Sequence, residues 1–278
     1  MWDENPCLIE DPVPGTPDDA LTPLVLVHDG GGTVFNYHCI DPLLGRRVIG
    51  IANPNFHTGR SWLPGGIPEM ARHYVRLLRG AFEESDGAGA AAAKRGRRII
   101  LGGWSLGGLV ALEMAKVLRG DRALRVVGLV MIDSVCPLTW VQPSGGRNMP
   151  TIQAVASQHV FTPTTKQETK DKVTRCFADA SEMVSKWEMP AWEDHSPPPP
   201  AILLRAVDPV PMEGDGVARV DLARSDKSLQ WDRYRKDWLV RVVDIPGHHF
   251  NVFSFKNVEY LSTAVREACE TLERMPLP

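Results

Sequence analysis

Residues 103–107 read Gly-Trp-Ser-Leu-Gly, a serine fenced by glycines. An apolar run at 98–101 comes just before it, and an apolar-periodic helical pattern starts at the serine. A G-x-S-x-G pattern on a strand-to-helix turn is the layout that a nucleophilic serine needs. The sharp turn presents the hydroxyl, and small neighbours let strand and helix approach closely. The positive end of the following helix also favours a developing oxyanion. Ser105 is therefore a candidate nucleophile for acyl transfer. Chance supplies the bare motif about 0.1 times in a chain of this length, and an ordinary tight turn would use the same glycines.

A serine hydroxyl attacks poorly without a base and an acid that orients the base. The chain has eight histidines. His28, His38, His57 and His73 precede the motif, and His159 and His195 lie in a stretch without strand candidates. His248 and His249 follow the last apolar run, in Val-Val-Asp-Ile-Pro-Gly-His-His-Phe. A chain order of serine, acid and histidine places the base in that final loop. Neighbouring side chains cannot both face the serine, so one of the pair is the base. The pair is a poor metal site, because adjacent histidines rarely ligate one ion and no third ligand is in view.

Two aspartates compete for the acid. Asp133 ends the strand candidate after the motif, and Asp208 ends the next one. Both stand at carboxyl ends of strands, where α/β sheets place their sites, and residue chemistry leaves them level. An oxyanion hole needs two backbone donors. One is the N–H of Leu106, the residue after the serine, and the other comes from the loop His-Asp-Gly-Gly-Gly-Thr at 28–33. That glycine triplet is not a phosphate loop, since no Gly-Lys-Ser/Thr follows it.

The elements that must hold these groups alternate. Strand candidates occupy 24–28, 47–51, 98–101, 126–132, 201–207 and 239–245, each a short apolar run suited to burial on both faces. Helical patterns occupy 67–82, 107–118 and 258–272. The alternation predicts an open, mostly parallel, doubly wound α/β sheet. Residues 85–97 are small, polar and basic, and read as a surface linker. Residues 137–200 hold no strand candidate, only helical patterns at 151–160 and 167–187 and the stiff run Pro197–Pro198–Pro199–Pro200. An insertion that long between core strands is more often functional than idle. One domain is expected, with its core at 21–136 and 201–275 and a helical lid at 137–200.

Composition narrows the function. Net charge is −3 and no basic stripe is interleaved with aromatics, so nucleic acid is not an expected partner. No apolar run approaches the roughly 18–20 residues that span a bilayer, and the acidic, proline-rich amino terminus is unlike a signal peptide. Five scattered cysteines, Cys7, Cys39, Cys136, Cys176 and Cys269, form no C-x-x-C pair, which predicts reduced thiols in the cytoplasm.

With the serine turn, the glycine loop and the terminal histidines together, the chain resembles the thioesterase family of polyketide and nonribosomal peptide synthases, in its fungal form. The segments that carry the likeness are LVLVHDGGGTVFNY, IGIANPNF, GGWSLGGLVALEMA, VMIDS and GHHFNVF. They span the core from about residue 21 to 273. The resemblance implies an α/β-hydrolase fold. It also implies that Asp133 rather than Asp208 is the acid, His249 rather than His248 the base, and Gly30 the second oxyanion amide. One departure falls after His-Phe, where the family often has a methionine and this chain has Asn251-Val252-Phe253. The implied activity is release of an acyl chain from a carrier-protein or coenzyme A thioester, by hydrolysis or cyclisation, with no cofactor of the enzyme's own. The implied partner is an acyl carrier domain, with the chain read as free-standing. A carboxylic-ester hydrolase and a non-catalytic ligand-binding protein of the same fold are the competing readings.

Overall fold

The computed structural model describes residues 4–11, 21–42, 46–85, 96–139, 155, 158–193 and 195–276. Strand β1 is Cys7–Glu10, β2 Leu24–Val27, β3 Val48–Ile51, β4 Arg97–Trp104, β5 Leu124–Ile132, β6 Ala201–Ala206 and β7 Leu239–Ile245. They form one sheet in the order β1-β3-β2-β4-β5-β6-β7. Every neighbouring pair is parallel except β1 with β3. All six expected strands are present. The seventh, β1, carries too short a pattern in its four residues to read from sequence, and among the described residues it pairs with β3 alone.

Five of the six apolar runs have the burial they predict, whereas β7, at the end of the sheet, buries only Ile245. Leu24, Val25, Leu26 and Val27 are all fully buried, and each such side chain contributes about 2 kcal/mol of hydrophobic stabilisation. Their alternation divides the core between the two faces of the sheet. Val25 and Val27 join the cluster that contains α1 (Gly66–Ser85) and α2 (Leu106–Val117). Leu24 and Leu26 join the cluster that faces the carboxyl-terminal helix Val258–Arg274. Arg46, itself buried, clasps that helix to the amino-terminal half through a two-pronged bond to Glu273, at 2.8 and 2.9 Å.

Residues 137–200 leave the sheet after β5 and return at β6. Within them α3 (Gln167–Lys186) buries Val173, Cys176, Phe177, Ala180, Met183 and Val184, a stripe at helical spacing. Trp187 closes it, donating from Nε1 to Glu113 on α2 at 2.9 Å. The proline run ends by presenting Pro199 and Pro200 carbonyls to Trp238 Nε1 and Leu129 N, at 2.8 and 2.9 Å. Residues 86–95 of the expected linker at 85–97 and most of the helical pattern at 151–160 lie outside the described residues. Past β6 come the one-turn helix α4 (Trp231–Tyr234) and then α5 (Val258–Arg274). None of the helices described is long and apolar enough to cross a membrane.

Candidate active site

Ser105 occupies the junction between β4 and α2 with φ 57° and ψ −118°, a backbone conformation that an L residue adopts only under constraint. The constraint is visible around it. Ser105 N donates to Ile132 O at 2.9 Å, and Trp104 N donates to the buried Tyr37 hydroxyl at 2.8 Å. That hydroxyl donates in turn to Val27 O at 2.6 Å, which ties the turn to β2. The glycines are there for space. A Cβ on Gly107 would lie 2.2 Å from Val27 O, and one on Gly103 2.6 Å from the same atom.

His249 reaches the serine from the loop after β7. Its Nε2 is 3.0 Å from Ser105 Oγ and its Nδ1 is 2.8 Å from Asp133 Oδ2. Asp133 sits at the end of β5 with φ 42°, wholly buried. Burial would raise its pKa, but hydrogen bonds from His249 and Arg224 outweigh that and hold it at about 2. An ionised carboxylate only accepts, so Nδ1 carries the imidazole proton and Nε2 offers its lone pair to the serine hydroxyl.

Four donors converge on that carboxylate. Ala206 N and Arg224 Nη1 reach Oδ1 at 2.9 and 2.6 Å, and Arg224 Nη2 and His249 Nδ1 reach Oδ2 at 2.9 and 2.8 Å. Arg224 is itself buried and oriented by Asp221, whose Oδ1 accepts from Nε at 3.0 Å. Nothing in the residue pattern pointed to Arg224, which lies in an irregular segment between β6 and β7 with no motif around it.

The two residues left open in the sequence fall elsewhere. Asp208 is exposed at the end of β6, its backbone N bonded to Gly247 O at 2.9 Å. His248 points away from the serine, accepting from Phe250 N at 3.3 Å and lying against His159, ring centroids 5.3 Å apart. Burial and the neighbouring His159 lower its pKa.

A small cavity of about 40 Å³ opens on Ser105 and His249. Gly30 and Leu106 flank the serine there. The remaining wall is apolar apart from Ser181: Leu109 from α2, Phe177, Ala180 and Val184 from α3, and Val135 and Val220. The loop that carries Gly30 is buried. Asp29 has no cationic partner among its described contacts, and burial pushes its carboxyl up to about 7 against the pull of the Gly31 and Asp29 amides. Among the described residues no cluster of three or more His, Cys, Asp or Glu side chains is placed to hold a metal.

Comparison with known proteins agrees with this architecture. The model of the alpha/beta hydrolase family matches residues 24–257. The probable thioesterase gloN of Glarea lozoyensis is 36% identical, over 90% of this chain and 90% of its own. Thioesterase AMT4 of Alternaria alternata is 34% identical, over 97% and 93%. Among solved structures, the NocB thioesterase domain in covalent complex with a fluorophosphonate nocardicin G analogue superposes with a TM-score of 0.61 at 27% identity. That match covers 91% of this chain and 96% of NocB. The chain belongs to the α/β-hydrolase family, among its serine-dependent thioesterases.

Proposed function

We propose that Ser105, His249 and Asp133 act as nucleophile, base and orienting acid in the release of an acyl chain from a carrier-protein or coenzyme A thioester. The observation that carries this reading is the position of His249, hydrogen-bonded to Ser105 at 3.0 Å on one side and Asp133 at 2.8 Å on the other. As Oγ bonds to the thioester carbonyl carbon, its proton passes to Nε2, and the imidazolium that forms is stabilised by the Asp133 carboxylate. The carbonyl oxygen becomes an oxyanion held by the N–H groups of Leu106 and Gly30. When the C–S bond breaks, the leaving sulfur takes the proton back from Nε2. Water, or an internal hydroxyl, amine or carbanion, then attacks the acyl-enzyme with His249 again as base. The bond to Ser105 Oγ breaks and Oγ takes the proton back from Nε2; how far the apolar pocket beneath α3 excludes water decides between these nucleophiles, which gives residues 137–200 the part of a lid.

An acyl carrier domain fits as the partner, since its phosphopantetheine thiol is the leaving group and the enzyme then needs no cofactor. The five thiols are all unpaired, which suits a reducing cytoplasm. The test is intact-mass analysis after treatment with a fluorophosphonate and with a panel of acyl N-acetylcysteamine thioesters. The expected result is an adduct on Ser105 and thioester turnover that both disappear in Ser105→Ala. An adduct elsewhere, or turnover that survives the substitution, overturns the reading. Equal rates on matched oxygen esters would make the enzyme a general ester hydrolase.

A further inference from the structure

One buried chain of hydrogen bonds ends on the peptide that carries the Gly30 N–H, yet takes no part in the proton transfers at Ser105. His28 and Tyr74 are both essentially inaccessible to solvent. His28 Nδ1 lies 2.5 Å from Asp29 O, and its Nε2 lies 2.6 Å from the Tyr74 hydroxyl on α1. The partners fix every proton. A carbonyl oxygen only accepts, so Nδ1 carries the hydrogen. Nε2 of the neutral ring is then the acceptor, and the Tyr74 hydroxyl donates to it. Burial lowers the His28 pKa to about 4, so the ring stays neutral, and burial raises that of Tyr74, so the hydroxyl keeps its proton.

The receiving end decides what this arrangement is for. Asp29 C=O and Gly30 N–H belong to one planar trans peptide and point in opposite directions. Fixing the carbonyl towards His28 therefore aims the Gly30 N–H away from it, and Gly30 lines the cavity beside Ser105 and Leu106. The same carbonyl also accepts from Gly32 N at 3.1 Å. His28 N is bonded to Ile51 O at 3.0 Å, which anchors the relay to β3. A histidine that was only a satisfied core residue could bond to any carbonyl; this one bonds the peptide whose amide joins that of Leu106 in the proposed oxyanion hole.

We propose that His28 and Tyr74 are positioning residues for the oxyanion hole: the Tyr74 hydroxyl, donating to Nε2, holds the His28 ring in place, and His28 fixes the plane of the Asp29–Gly30 peptide. The proposal rests on Ser105 acyl transfer with Gly30 as an oxyanion donor. Removing an oxyanion donor outright costs about 100- to 1,000-fold in kcat. Loosening this peptide costs less, because the Gly32 bond to the carbonyl remains.

The test uses the full chain, a turned-over thioester, and a trifluoromethyl ketone that Ser105 captures as an oxyanionic hemiketal. Tyr74→Phe removes only the hydroxyl that holds the His28 ring. It is expected to lower kcat roughly tenfold with KM within about twofold, and to weaken ketone binding by the same factor as kcat/KM. His28→Asn keeps a side-chain N–H donor for Asp29 O without needing Tyr74, so it retains most of kcat. Adding Tyr74→Phe to it costs nothing further.

Unchanged kcat and ketone affinity in Tyr74→Phe overturn the proposal. So does a loss of the same size in the His28→Asn background, or one that only tracks the fraction of folded protein. In each of these cases the wild-type chain remains active, and acyl transfer by Ser105 stands. A wild-type chain that forms no Ser105 adduct overturns both.

Discussion

Arg224 grips both oxygens of Asp133, at 2.6 Å to Oδ1 and 2.9 Å to Oδ2, and Oδ2 is the oxygen that also takes the bond from His249. The carboxylate is thus held by a cation on one side while it bonds the His249 ring on the other. Replacing Arg224 by Met leaves a buried carboxylate without its cation, at a cost of about 3–5 kcal/mol. Thermal unfolding of Arg224→Met against wild type measures that cost. The expected fall in kcat is ten- to a hundredfold, with Arg224→Lys intermediate because one ammonium cannot bridge both oxygens.

The same pair sets a pH dependence. The Asp133 pKa in the fold, about 2, is below its ordinary 3.8, so the stability it contributes is complete above pH 4 and is lost as pH falls towards 2. Denaturant titrations between pH 2 and 6 should show that loss in wild type. In Arg224→Met the loss is smaller and is complete at higher pH, because the carboxyl has lost one of the groups that depress its folded pKa.

Asp29 predicts the opposite slope. With a pKa of about 7 in the fold against an ordinary 3.8, it is more easily protonated folded than unfolded. Its burial therefore costs nothing at pH 3 and progressively more as pH rises to 7, up to about 4 kcal/mol. Asp29→Asn should raise the melting temperature at pH 8 and leave it nearly unchanged at pH 4. A variant no more stable at pH 8 than wild type would refute this.

Gly30 is pressed from the side of α3. A Cβ there would meet Phe177 Cδ1 at 2.9 Å, a contact with a ring rather than with backbone. Gly30→Ala should therefore lower kcat through displacement of the loop or the ring. Phe177→Leu in the same chain should recover much of the loss by making room. Steady-state kinetics of the two single variants and the double variant give the coupling.

Two other glycines separate space from propensity. A Cβ on Gly80, within α1, meets nothing within 4 Å, so Gly80→Ala should stabilise the chain by up to about 1 kcal/mol. On Gly107 the added carbon would strike Val27 O at 2.2 Å, and Gly107→Ala should destabilise by at least about 3 kcal/mol or prevent folding. Melting temperatures of the two variants should move in opposite directions.

Strands buried on both faces are legible in sequence because apolar runs there are nearly continuous, and β2 to β6 begin and end within a few residues of their patterns. Ser105 is legible because its turn demands glycines at fixed offsets. The choice between Asp133 and Asp208 is not local, since both end strands. It depends on which strand end faces the loop after β7, and in the sequence only the family likeness spoke to it. Arg224 was illegible for the same reason. It is 91 positions from Asp133 along the chain, and nothing near it signals a long-range ion pair.

The attachment points of residues 137–200 carry a structural consequence. The segment departs just after Asp133 and returns on β6, the strand whose Ala206 amide holds the same carboxylate. The pairing of β5 with β6, Leu129 with Ala201 through Ile132 with Leu204, is complete without it. The segment nevertheless supplies Phe177, Ala180, Ser181 and Val184 to the cavity. The cavity wall and the frame that aligns Ser105, His249 and Asp133 are thus separable, so this stretch could be exchanged like a cartridge with the frame left in place.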